Sequence, residues 1–595
     1  MWDWWKKNIE SILTTAQAAE VETDYADEAG NRLSYHWNKG KPYCRITGDD
    51  LNVEIDLSQQ VISLETKPTE TDQPWNNFFA KLPLNQAKKF VSAALLGFKA
   101  KQFDDGLYAA VELALQEGAG AWVGKRVWMG SIAPMMARHP EAATNGILRL
   151  WLAACALGGQ RIPASAATTE AVKKLIADFQ HDHNRSKPVG FYPWSNELCC
   201  IFQQDRLLQT PLRDVESAAP LLQLFRNDAR LHESYDRYLQ LLARLTNPFV
   251  LPDLRAVLNG KVHAREPFAI FPPSRSHEVT LGERLFKSKP IPPDFDLMEE
   301  LISQVITGKL SLAPQEDSGW YDLQTWAHGP FLLPEQTEEA SRLSFHRSYK
   351  LHLRELFKGL QALARETHAK QLLCGRLGAS PQRLPFPFFS ALTVEPVATY
   401  YNRRAEGYVF LREVLCEFFG ESALHQLRRL TASGPLSESL LTELDAMIAL
   451  FRGAAATVRI ELGMPPEPND EATFPVFRRW VKRLDSDADL QQDPRMMVPV
   501  FFDIERQKLK VWAVLGWTTK TLKLDFAQKP SAEIVSESYS SVEFIGGQRE
   551  LVQPVFVETY VDRLLNRDEF RQICDRYTTP EQITRALSSV TSSNQ

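Results

Sequence analysis

The stretch Phe90-Val91-Ser92-Ala93-Ala94-Leu95-Leu96-Gly97-Phe98, continued by Tyr108, Val111, Leu113 and Leu115, decides the fold class. Its apolar residues return every three to four positions, the period of an α-helix with one buried face. That period sets in at Leu84 and holds to Gly159. On the amino-terminal side the pattern differs. Leu33–Trp37, Tyr43–Ile46, Leu51–Ile55 and Val61–Leu64 are short alternating runs, broken at Asn38-Lys39-Gly40 and Gly48-Asp49-Asp50. Alternation between turn residues predicts a small antiparallel β meander. Further upstream Trp5, Ile9, Ile12, Leu13 and Ala16 fall on one helical stripe, beside Trp2 and Trp4. This predicts an amphipathic helix that docks on the body of the protein or makes a peripheral contact with a membrane surface or partner.

Downstream, helical periodicity continues from about Thr168 to Asp485 through two proline-rich connections, one over Pro267–Pro293 and one over Pro381–Pro396. Proline cannot donate into a helix or a central strand, so these are ordered crossovers. Their interleaved Phe268, Phe271, Phe386, Phe388 and Phe389 predict that they pack on the helices. After Arg495 the pattern turns to strands at Val498–Phe502, Leu509–Leu515, Thr521–Leu524 and Val542–Ile545. Final helices are expected over Phe556–Leu565 and from Thr579-Pro580, where threonine caps and proline takes the first helical position. The expected fold is mainly α, α+β overall: a multi-subdomain helical body with an N-terminal meander and a C-terminal α+β element. The expected subdomains are residues 1–75, 76–165, 166–490 and 491–595.

At 595 residues the chain is long enough for several subdomains. Its 68 Lys+Arg against 74 Asp+Glu give a net charge of -6, which lacks the electrostatic footprint of a nucleic-acid binder, so no nucleic acid is expected as partner. Seven cysteines without a CxxC pair are expected to be reduced, and the amino terminus lacks the pattern of a secretory signal. The most apolar window, Ile147–Leu157, is too short to cross a bilayer. These features place the protein in the cytoplasm with no transmembrane segment. No metal or cofactor is expected: His181-Asp182-His183 reads as a solvated turn, no HExxH occurs, and Gly118, Gly120 and Gly124 are spaced too widely for a dinucleotide loop.

One region concentrates chemistry. Ser318-Gly319-Trp320-Tyr321-Asp322 precedes a helix carrying Arg342, Arg347, Lys350, Arg354, Lys358 and Arg365, then Glu366 and His368, then Glu395 with Tyr401 and Arg403. The basic run reads as a solvated helix face. If the remaining groups line one cleft, Glu366, His368 and Glu395 are the acid–base candidates, and Tyr321, Asp322, Tyr401 and Arg403 the substrate-binding ones. The alternative is a buried structural network in which Glu395, at the N-cap end of its own helix, pairs with Arg403.

Two segments resemble a known pattern. Gly190-Phe191-Tyr192-Pro193-Trp194-Ser195-Asn196-Glu197-Leu198 is similar to the GHYTxSEEL pattern, and Val394-Glu395-Pro396 with Tyr401 and Arg403 to the VEPNPEFYxRLA pattern, of a bacterial and archaeal family of large helix-rich proteins known as a domain of unknown function. The resemblance covers roughly residues 185–570 and implies a mostly helical body with a small C-terminal β element. It implies no activity. The histidine of the first pattern is Phe191 here, and that of a late-strand pattern falls near Phe501 or Phe502, so any role those histidines play is lost in this chain.

Two functions stay open: a non-catalytic binding or scaffold protein with a protein or small-molecule partner, and a metal-independent hydrolase or transferase. A pocket joining Asp322, Glu366, Glu395 and Arg403 favours the enzyme; a filled core favours the scaffold.

Overall fold

The computed structural model describes the chain apart from residues 1–20, 27–31, 38–42, 49–50, 57–60, 67–81, 83, 85–89, 264–265, 287–295, 346, 369, 371–392, 463, 504–507, 526–530, 538–547, 578 and 589–595. The Trp-rich first helix, the second proline-rich connection as far as residue 392 and the Val542–Ile545 strand expected from sequence lie outside the described residues. The chain divides into two compact units, Met1–Asn76 and Asn77–Gln595.

The first unit is an antiparallel meander of β1 (Val21–Ala26), β2 (Arg32–Trp37), β3 (Tyr43–Gly48), β4 (Leu51–Asp56) and β5 (Val61–Thr66), paired in chain order. Its register aligns Tyr35 with Ile46, Ile46 with Val53 and Val53 with Leu64.

The second unit is mainly α. The helices that matter below are α1 (Ala93–Glu117), α2 (Lys125–Arg138), α3 (Asn196–Leu208), α4 (Ala229–Leu245), α5 (Trp320–His328), α6 (Arg347–Thr367), α7 (Ala398–Phe419), α8 (Leu440–Glu461), α9 (Arg567–Arg576) and α10 (Pro580–Ser588). Helix α1 is the axis of the body and is buried on almost every side. The Ser92 side chain caps it by accepting from the Leu95 amide. Phe268 and Phe271 of the first proline-rich connection are buried against the helices, as the sequence suggests.

The β part of this unit has strand order β12-β10-β11-β6, with β9 also paired to β10; β6 is Ser344–Phe345, β9 Met496–Asp503, β10 Lys508–Asp525, β11 Ser531–Glu537 and β12 Gln548–Val561. A separate two-stranded ribbon joins β7 (Leu430–Thr431) and β8 (Gly434–Pro435). Strand β10 is buried on both faces over Val511–Trp517, the part that reads as an unbroken apolar run. Leu509, Val511, Ala513 and Leu515 pack with Phe570, Cys574, Ile583 and Leu587 of α9 and α10. Trp512 and Val514 face the main helical core. The register to β12 slips between Val514 and Gly516, where φ is 147°, a conformation open to glycine. The extra residue reverses the alternation, so odd-numbered Trp517 joins Trp512 on the helical side.

Two expectations are corrected here. Thr521–Leu524 continues β10 and is not a strand of its own. Phe556–Leu565, expected as a helix, is largely the end of β12. Val555, Val557, Thr559 and Val561 alternate through it, and the β-branched period outweighs the helix-like Asp562-Arg563-Leu564-Leu565 that follows. The last helix starts as expected: the Gln582 amide donates to Thr579 Oγ1 at 3.2 Å.

Helix α6 lies against this sheet. Gly359 makes the close approach possible, because a Cβ there would collide with Pro554 of β12. The basic run is a solvated face only at its start, where Arg342 and Arg347 are exposed and Lys350 is partly so; further along α6 its members are paired in the interior. Arg365 is fully buried and bonds Glu278 at 2.9 Å, Lys358 reaches Glu299 at 2.5 Å, Arg354 pairs with the same carboxylate, and Lys350 pairs with Glu335.

Candidate functional site

Glu366 sits at the end of α6, where the helix crosses α1. One carboxylate oxygen pairs with Lys101 of α1, and the other accepts from Arg567 of α9 at 2.6 Å. Lys101 also pairs with Asp105, one turn along α1, whose other oxygen accepts from Thr367 Oγ1 at 2.6 Å. Burial opposes the Glu366 charge, but Arg567 and Lys101 outweigh it and hold the carboxyl at about 2. A carboxylate so held is a poor proton carrier near neutrality. Burial dominates instead at Asp105, whose pKa is raised despite Lys101.

His368 lies further along α1. Its Nε2 lies 3.0 Å from Gln324 Oε1, and its ring packs edge-on to Tyr108 with centroids 4.8 Å apart. Burial, reinforced by Arg365 and Lys101, pushes its pKa well below the usual histidine value, so the ring is neutral. Tyr321 Oη donates to the His368 carbonyl at 3.3 Å. Gln324 continues to Asp104, which also accepts from Tyr408 Oη at 2.8 Å and from Arg404 at 3.2 Å.

A second ionic cluster adjoins the first. Lys370 bridges Glu112 of α1 at 2.5 Å and Asp205 of α3 at 3.0 Å, and Asp205 also holds Lys125 of α2 at 2.5 Å. Tyr192 Oη donates to Glu112 at 2.7 Å. Between Tyr108, Glu112, Tyr192, Tyr321, Thr367, His368 and Lys370 there is a void of only about 20 Å³. That is room for roughly one water molecule, not for a substrate.

The remaining sequence candidates lie elsewhere. Asp322 accepts from Asn247 and from Ser318, each at 2.8 Å, and fastens the start of α5. Glu395 is fully buried: Oε2 accepts from the Ala93 amide at 2.8 Å, and Oε1 lies 2.7 Å from His352 Nε2 and 3.2 Å from Tyr349 Oη. It therefore serves the amino terminus of α1, whose free N–H groups favour a carboxylate, and not its own helix, which begins two residues past Pro396. Tyr401 Oη donates to the Glu395 carbonyl at 3.2 Å. The expected Glu395–Arg403 pair does not form. Arg403 lies over the Trp326 ring at 4.5 Å and donates to the Trp326 carbonyl at 3.0 Å, since the helix aims it at α5.

The structure thus brings Glu366, His368 and Tyr321 together, places Glu395 with Tyr401 at the head of α1, and sets Asp322 and Arg403 apart from both. The sequence reading missed Lys101, Asp104, Asp105 and Glu112, the groups that α1 contributes. Their signal was present: charges embedded in a helix apolar on all faces have to be buried and paired. The stretches carrying the family resemblance are structural parts of this assembly. Gly190 turns with φ 64° against the Glu366 carbonyl, Ser195 caps α3, and Phe191 stacks on Tyr192 at 4.3 Å. Among the described residues no group of three or more His, Cys, Asp or Glu is arranged to hold a metal ion, and no helix is long and apolar enough to cross a membrane.

A larger concavity lies away from these clusters, between α2 and α4. It holds about 600 Å³ and is lined by Trp122, Val123, Val127, Trp128 and Leu231 on its apolar side and by Asp228, Arg230, Glu233 and Arg237 on its polar side. No protein-family model matches the chain, and neither the curated proteins nor the solved structures searched contain a match.

Proposed function

We propose that the protein is a non-catalytic binding or scaffold protein, in which the constellation around Glu366, His368 and Glu395 is the structural interior of a rigid helical platform. The observation that supports this reading most directly is the void of about 20 Å³ where a substrate would have to sit. The chemistry agrees. Glu366 is held as a carboxylate by two cations, His368 is held neutral by burial, and Glu395 is occupied by a helix terminus and a histidine. Neither Glu366 nor His368 is poised to exchange a proton at neutral pH.

Removing one member of a buried, balanced ion cluster leaves an uncompensated charge, whereas functional residues are commonly neutral or unfavourable for stability. Chemical denaturation of Glu366→Gln and Lys101→Met against the parent tests the reading. A loss of stability in both, with a double variant less affected than the singles summed, supports the platform. Unchanged or raised stability in both would return the constellation to the list of sites.

A further inference from the structure

We infer that the face formed by α2 and the groove beside it is a two-fold docking surface for a second copy of this chain. The inference rests on the binding-protein reading and deepens it by naming a partner.

The first observation is an apolar stripe left in water. Among the described residues five large hydrophobic side chains are exposed, and three of them, Val123 at 51%, Val127 at 59% and Met135 at 49%, belong to α2 and its entry. Val127, Ser131 and Met135 follow each other at four-residue steps, one face of a helix, and Val123 extends the line past the N-cap Gly124. Exposed apolar side chains that recur on one helix face, and are not scattered singly, are the pattern that an interaction site presents. Val123, Val127 and Ser131 also line the 600 Å³ groove, so ridge and groove are neighbours on one patch.

The second observation selects the occupant. The polar wall of the groove carries two cations, Arg230 and Arg237, and two anions, Asp228 and Glu233. Among the described residues none of the four forms an ion pair within the chain. Asp228 caps α4 through the Arg230 and Leu231 amides, and Arg237 lies 5.8 Å over the Trp122 ring and reaches the Phe418 carbonyl at 3.4 Å. A partner rich in one charge would be met by a rim of the opposite sign. An equal and unpaired mixture is what a two-fold contact needs, because each copy offers the other the same groups.

The stripe has the matching symmetry. Two α2 helices laid antiparallel about Ser131 put Val127 opposite Met135 of the other copy, twice. The small Ser131 side chain at the crossing permits the 8–10 Å approach of packed helices. Methionine, unbranched and adaptable, suits insertion into the groove beside Val127.

The test is the mass of the full chain in solution, by analytical ultracentrifugation over roughly micromolar to hundred-micromolar protein, the range of a modest standard-size contact. The expected result is twice the 67.6 kDa chain mass at the upper end, reverting to one chain mass in Val127→Glu with an unchanged circular dichroism spectrum and melting temperature. Ser131→Cys should cross-link to a dimer with a short bis-maleimide, where the parent and Val123→Cys do not. A single-chain mass at every concentration overturns the inference, as does a dimer indifferent to Val127→Glu. The chemical-denaturation comparison at Glu366 can succeed while this fails, and the reverse, so the two readings fall separately.

Discussion

The interior around Glu366 and the groove between α2 and α4 draw on the same kinds of residue: arginine or lysine, carboxylates of both lengths, tyrosine or tryptophan. In the interior each carboxylate lies against a cation or a hydrogen-bond donor, and the free space holds about one water. In the groove four charged side chains form no ion pair among the described residues, around about 600 Å³. The difference is set by solvent. A charge taken out of water without a partner costs several kcal/mol, so an interior that contains charges must balance them. A charge at the surface is under no such demand, since an exposed pair contributes little. A dense constellation of reactive side chains is therefore as much a sign of deep burial as of chemistry.

The comparison breaks if the interior tolerates damage. Glu366→Ala should lower unfolding free energy by about 3–5 kcal/mol, because Lys101 and Arg567 would then face each other across Asp105 alone. Urea denaturation measures this, and a change within about 1 kcal/mol would contradict the closed interior. Next in size is Glu395→Ala, which strips one acceptor from the Ala93 amide, Tyr349 and His352. A loss of about 2–3 kcal/mol is expected, with Glu395→Gln less affected because it keeps an acceptor. Equal losses in the two variants would show that the charge itself matters more than the bond to α1.

Most of the fold was legible because periodicity reports burial. The 3.6-residue pattern after Leu84 gave the body, and alternation gave β2 to β5. What failed did so for physical reasons. Phe556–Leu565 was expected as a helix, although its β-branched alternation matches β12. Arg403 was paired with Glu395 by proximity in sequence, but its side chain lies on Trp326 of α5. Glu366 and His368 were picked out as a notable pair, yet the ionic partners of Glu366 come from α1 and α9, about 200 residues or more away, and His368 bonds Gln324 of α5, contacts that no local pattern announces. The groove passed unnoticed because Val127 and Met135 differ from core residues only in what fails to cover them.

The pH dependence sharpens the contrast from inside. Burial holds His328 at about 3 and His368 well below the ordinary 6.5. Both rings bind their proton more readily in the unfolded chain, so the stability they confer is complete above pH 6.5 and drains as pH falls toward 3. The slope should be about 1.4 kcal/mol per pH unit for each histidine. Glu366, at about 2 against an ordinary 4.5, adds a further loss only below that ordinary value. Glu339 runs the other way. Burial raises it to about 7, so its contribution is present below 4.5 and disappears as pH rises through 7. Glu339→Gln should accordingly gain about 3 kcal/mol over the parent near pH 8 and nothing near pH 4. Its amide oxygen can still accept the Thr399 hydroxyl, which Glu339 receives at 2.7 Å. Equal effects at both pH values would locate the cause in packing and not in charge.

The smallest expected effect is the most informative about the groove. Val127 is 59% exposed, so replacing it removes little buried area, and glutamate is a better helix former than a β-branched residue. Val127→Glu should leave the stability of the separated chain within about 0.5 kcal/mol of the parent. The neighbouring Trp128 shows what the same helix does when it is covered: its ring packs against Trp151, Tyr235, Tyr238 and Phe271, and Trp128→Ala should cost about 3–5 kcal/mol. Two adjacent residues thus give opposite results for one reason, the side of α2 on which they stand. Thermal melts of both variants at a protein concentration too low for self-association check this. A large loss in Val127→Glu there would mean that the stripe is covered by part of its own chain, leaving no open surface for a second copy.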